Sequence, residues 1–165
     1  MSTPTSAESK ELELIEKVDL RLALADTPEK FEKNLQVFLP PLLLKLASPY
    51  HSARTNVFNS LKNILSRLSS LTDVKLPVAA LIQQVMTVES TLPDCHDPAL
   101  LNNVKLYSLL LASKGVDRLQ SKEEKKALLP IIMNNISNAP VTTAARLFHI
   151  FCKVLLTWTS PTRGR

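Results

Sequence analysis

The stretch Phe38–Leu68, FLPPLLLKLASPYHSARTNVFNSLKNILSRL, decides the fold. It reads as two short apolar helices, one after the other. Leu39-Pro40-Pro41 opens the first, since proline suits a first helical turn where its missing N–H has no partner to lose. Leu42, Leu43 and Leu46 give that helix an apolar face. Ser48-Pro49 stops it, because the residue before a proline is pushed out of the α region. The second helix places Val57, Phe58, Leu61, Ile64, Leu65 and Leu68 on one stripe of a 3.6-residue helix. Neither helix can bury its stripe alone.

Moved forward by 90 residues, the stretch meets itself. Pro40 lands on Pro130, Leu42 on Ile132, Leu46 on Ile136, Val57 on Leu147 and Phe58 on Phe148. Leu61 lands on Phe151, Ile64 on Val154, Leu65 on Leu155 and Leu68 on Trp158. Between the copies, Leu76-Pro77-Val78-Ala79-Ala80-Leu81-Ile82 repeats the opening. The spacing averages about 45 residues per unit, close to the period of two-helix HEAT units. The predicted fold is all-α: an α-solenoid of stacked HEAT-like helix pairs, about three to four antiparallel hairpins. The alternative is an ordinary α-bundle with two similar hairpins.

Composition agrees. The chain has 165 residues, 45% of them hydrophobic and 21% charged, which suits a folded domain with a real core. Two glycines against eleven prolines argue against β-hairpins and against a glycine-rich phosphate loop. Aromatics at 5% argue against a base-stacking platform. The net charge of +5 is uneven: residues 1–33 hold eight acids and five bases, and residues 34–165 hold seven acids and fifteen bases. The bases are scattered, and Glu123 and Glu124 dilute the one dense run, Lys122 to Lys126, so they read as solvated surface rather than a nucleic-acid footprint. Cys95 and Cys152 are too few for a disulfide framework and too isolated for structural zinc, which suits a reducing compartment. No apolar leader and no membrane-length apolar run is found in the chain.

Residues 1–7 and 159–165 are expected to be disordered, flanking a solenoid over 8–158. A first helix is predicted from about Glu8 to Ala25, with Ile15, Val18 and Leu22 inward and Glu8, Glu11 and Glu13 at the positive end of its dipole. Thr27-Pro28 starts a second, with a kink or restart expected at Pro40-Pro41. Later helices are expected from Pro77 to about Val88, from Asp97-Pro98 to about Ser113 with Gly115 as a stop, and from Ser121 to about Asn138. Ser121-Lys122-Glu123-Glu124 reads as a capping box. The last helix, from Val141, is apolar around most of its circumference, whereas an end repeat normally has a polar outer face. It predicts further repeats stacked on helix 141–158, the chain being an N-terminal piece of a longer array or a variant with an abnormal end.

No residue constellation points to catalysis. Asp94-Cys95-His96-Asp97 offers a Cys–His pair, but neighbours in sequence rarely face each other, so it reads as a polar loop followed by an Asp97 helix cap. As a metal site it lacks a second ligand pair. His51 reads as a surface or capping residue at the start of a helix, and His149 as a core or interface residue. Arg54, in the inter-helix turn, is the candidate for bridging successive repeats. No enzyme activity, cofactor or metal is expected, and no residue is assigned to partner binding.

Several segments together resemble the extreme N-terminus of the proteasome-associated HEAT-repeat adaptor family. They are Glu11-Leu12-Glu13-Leu14-Ile15-Glu16-Lys17-Val18, Val37-Phe38-Leu39-Pro40-Pro41-Leu42-Leu43-Leu44-Lys45-Leu46 and Leu76-Pro77-Val78-Ala79-Ala80-Leu81, with Asn102 to Tyr107 and Arg118-Leu119 further on. The resemblance runs from Glu11 to about Ile136. It departs at Ala53-Arg54, where the family tends to have Val-Arg, and in length. It implies a non-catalytic scaffold in cytoplasm and nucleus that binds proteasomes, bridges or stabilises core and regulatory particles, and assists their assembly or quality control. The alternative is a generic HEAT/ARM-type module in transport or trafficking. A nucleic-acid-binding helical protein is the third reading, and it predicts steeply salt-dependent affinity.

Overall fold

The computed structural model describes residues 5–158, and all its elements are helical. They are α1 (Ser6–Ala23), α2 (Pro28–Leu44), a 3-10 turn (Lys45–Ala47), α3 (His51–Ser70), α4 (Val78–Thr91), α5 (Pro98–Asp117), α6 (Lys122–Asn138) and α7 (Val141–Trp158). The odd-numbered helices form one layer and the even-numbered a second. α1 packs on α3 and α5 on α7; α2 packs on α4 and α4 on α6; the α4–α5 and α6–α7 hairpins close the layers on each other. This is an α-solenoid of helical hairpins, and one continuous apolar core from Ile15 to Val154 runs between the layers.

Most core residues are those the periodicity selects, but Phe58, placed on the same α3 stripe, lies at its edge against Tyr107 and is exposed, and Leu65 is half-buried. Leu42 and Ile132, Val57 and Leu147, and Ile64 and Val154 are all buried, while Phe58 and Phe148 are both exposed. The 90-residue correspondence is thus one of burial as well as of residue type. Start points agree too: the odd helices α3, α5 and α7 begin at His51, Pro98 and Val141.

Four local expectations need correction. α1 begins at Ser6 rather than Glu8, because Thr5 Oγ1 accepts the Glu8 amide at 3.2 Å and caps the helix. The irregular start expected over 1–7 therefore excludes Ser6 and Ala7; residues 1–4 and 159–165 lie outside the described residues.

Pro40 and Pro41 do not open a new helix. They lie inside α2, which continues to Leu44. Each removes an amide donor to the carbonyl four residues back. Those carbonyls belong to Gln36 and Val37, on the solvent side of the helix, while Leu35, Leu39, Leu42 and Leu43 are buried. Burial of that stripe outweighs the lost bonds.

Gly115 does not stop α5, which runs to Asp117. It is buried where α5 crosses the start of α4. A Cβ there would collide with Val78 Cγ2 and approach Leu76 Cβ to 3.1 Å. The glycine is needed for close approach, not for a turn.

α4 runs past Val88 to Thr91, shortening the loop before α5. The caps at Thr27, Asp97 and Ser121 form as expected: Thr27 accepts from Lys30, Asp97 from Ala99, and Ser121 from Glu123 and Glu124.

Candidate protein-interaction surfaces

The residues that tie one repeat to the next lie at the C-terminal ends of the odd helices. The last carbonyls of a helix lack intrahelical donors. Arg67, near the end of α3, donates to the carbonyl of Leu22 at 2.6 Å and to that of Ala25, closing the end of α1. Its guanidinium also lies 4.1 Å from the Phe31 ring centroid. Arg118, just beyond α5, donates to the carbonyls of Leu68 (2.5 Å), Leu71 (2.6 Å) and Val74 (3.1 Å), closing the end of α3. Lys153 of α7 reaches the Ser113 carbonyl at 3.1 Å and Asp117 at 2.7 Å, at the end of α5. Each odd helix thus holds the terminus of its predecessor.

Arg54 does not do this. Its guanidinium donates to the Ser48 carbonyl at 2.6 Å, within its own turn. An Arg-Leu pair recurs near three helix ends, Arg21-Leu22, Arg67-Leu68 and Arg118-Leu119, but only the last two bridge repeats, and the remaining bridge, Lys153, lies in no such pair. The first of these arginines stacks on Phe38 instead, 5.4 Å from the ring centroid.

Asp94-Cys95-His96-Asp97 forms one wall of a groove of about 530 Å³, opposite Glu11, Leu44, Lys45 and Ser48-Pro49. Within it the Cys95 thiol faces the Asp97 carbonyl, 3.9 Å away, and not His96. Among the described residues no group of three or more His, Cys, Asp or Glu is placed to hold a metal. His51 is exposed at the first position of α3, and His149 is exposed on α7 rather than buried.

α7 presents an apolar stripe at Val141, Ala144, Phe148 and Phe151, on the side away from Lys153 and therefore from α5. Val141 is 87% exposed and Phe148 56%, and the Phe148 and Phe151 rings stack with centroids 6.2 Å apart. Met133 of α6, 55% exposed, adds to the exposed apolar surface of this hairpin. No helix among the described residues is long and apolar enough to cross a membrane.

Stacked hairpins and cross-repeat staples define a helical-repeat module with an exposed apolar stripe on its last hairpin. Comparison of sequences makes the assignment specific. The family described as "Proteasome component ECM29, N-terminal" matches residues 15–165, and the chain belongs to that family. It is 55% identical over 157 residues to "Proteasome component ECM29" of Saccharomyces cerevisiae, covering 95% of this chain and 8% of that protein. It is 30% identical over 150 residues to the human "Proteasome adapter and scaffold protein ECM29", covering 91% of this chain and 8% of the relative. The fission-yeast "Proteasome component ecm29" is 32% identical over 131 residues, or 79% of this chain and 7% of its own. The chain thus spans less than a tenth of the length of these relatives. No solved structure matches.

Proposed function

We propose that this chain is part of a non-catalytic proteasome scaffold, in the cytoplasm and nucleus, that bridges or stabilises the core and regulatory particles and assists their assembly or quality control. The family match across the chain, with relatives named as proteasome component and as adapter and scaffold, supports this reading. The mechanism needs no reacting residue: a stack of helix pairs spans distance, and separate faces meet separate partners. The stripe at Val141, Ala144, Phe148 and Phe151 is the seat of a further helix pair, as apolar-to-apolar stacking requires.

The test is dissociation of the particles. Doubly capped proteasomes are isolated from cells with and without the protein, and loss of regulatory particle is followed after nucleotide removal. A slower loss with the protein present is expected. Equal rates would rule out bridging.

A further inference from the structure

α3 and α5 do not pack as closely as the other neighbours in their layer. Long side chains span the gap: Phe58 meets Tyr107 edge-on with centroids 5.5 Å apart, and Arg118 reaches back to Leu68 and Leu71. A furrow is left between the two parallel helices. Toward their C-terminal ends it widens to a hollow of about 380 Å³ lined by Leu65, Leu68, Ser69, Thr72, Lys114 and Arg118, with Asp117 at its edge.

The furrow carries apolar Phe58, Tyr107 and Leu65, turns about half polar in the hollow, where Ser69, Thr72, Lys114 and Arg118 line it, and has a lysine on each wall. On α3, exposed Phe58 is followed one turn later by exposed Lys62. On α5, Leu106 and Leu110 are exposed on the crest, and Lys114 follows one turn later. Among the described residues neither lysine makes an ion pair. α3 and α7 contain no acid, and α5 contains only Asp117, which is bound to Lys153 at 2.7 Å. Asp73, in the loop beyond the hollow, is the other acid near this end. α1, at the far end of the same layer, is the opposite, with five acids from Glu8 to Asp19.

We propose that the α3–α5 furrow docks an acidic amphipathic helix of a partner protein. Two parallel helices with a gap between them offer the seat that a third helix needs, and apolar anchors spaced one turn apart would cover Phe58, Leu65 and Leu110. Carboxylates flanking those anchors would meet Lys62 and Lys114. From Phe58 to Ser69 the seat is about 17 Å long, or three helical turns. A nucleic acid fits less well, because the crest between the lysines is leucine rather than a donor to phosphate. This inference does not depend on the partner being a proteasome.

The test places a photo-crosslinking amino acid at Leu110 in the native full-length protein in cells and sequences the crosslinked peptide. The expected peptide comes from another protein, is net acidic, and shows apolar residues at three- and four-residue spacing. Reversing the charges in a Lys62→Glu/Lys114→Glu variant should cut the crosslink more than about tenfold, since like charges then face each other. Both lysines are exposed, and an unchanged thermal midpoint would show that the variant folds. Crosslinks to nucleic acid, to a second copy of this chain, to a non-acidic peptide or to nothing would each overturn the proposal. So would a yield indifferent to the charge reversal. A proteasomal peptide and a non-proteasomal one both support the furrow, and only the second counts against the scaffold reading.

Discussion

Arg118 donates to three carbonyls of the turn that ends α3, so its removal leaves three acceptors without their donor. Arg118→Ala should lower unfolding stability by about 2–3 kcal/mol, the usual range for a lost charged hydrogen bond to partly buried partners. Arg118→Lys should recover only part of this, because one ammonium cannot span acceptors that a planar fork reaches together. Arg54→Ala, which loses a single contact inside its own turn, should cost less than Arg118→Ala in the same urea titration. Gly115→Ala separates two readings of that glycine. As a helix stop or neutral helical site, alanine would be harmless or stabilising by about 1 kcal/mol. Against Val78 and Leu76 it should destabilise by about 1–3 kcal/mol, and Val78→Ala in the same chain should relieve part of the loss. Neither role could be read from local sequence. An arginine before a leucine is common, and only the stacking of α5 beside α3 brings its fork to another helix's end.

At the scale of elements, periodicity located most helices, and the caps at Thr27, Asp97 and Ser121 located three of their starts. What the sequence left open were the places where tertiary burial overrides local preference. Pro40-Pro41 has the chemistry of a helix opening, yet Leu39, Leu42 and Leu43 are buried on one face and hold α2 continuous through it. Contacts between elements also set a pH dependence. Glu124, at the start of α6, bonds Lys75 in the loop before α4. The Lys75 ammonium, aided by the Ser121 amide, holds the Glu124 carboxyl below the usual glutamate range. Glu124 in turn raises Lys75. Stabilisation from the depressed carboxyl is therefore complete above the ordinary glutamate range and is lost as pH falls through its lowered value. That from the raised ammonium is complete below the ordinary lysine range and is lost as pH rises through its elevated one. Wild type should melt above Glu124→Gln across neutral pH, with the gap closing at acid and strongly alkaline pH. A gap that persists at acid pH would show that packing, not the ion pair, separates them.

For the whole molecule, the repeat was legible because stacking imposes the same burial on each unit, as Val57 and Leu147 show. The interaction surfaces were less so. The apolar circumference of α7 was visible as composition, but the α3–α5 furrow exists only once Phe58 and Tyr107 are brought together from different repeats. If a further helix pair covers α7, Phe148→Glu in the full-length protein should destabilise it although Phe148 is 56% exposed here. Thermal unfolding of the full-length variant checks this, and no loss would mean the face stays open. The scaffold reading itself is tested most directly by tagging the native protein and running cell lysate on a native gel. Peptidase activity and the tag are then read in the same lane. The tag is expected with singly or doubly capped, active proteasomes. A tag that runs apart from every active band would contradict the proteasome scaffold and leave a helical-repeat adaptor with another partner.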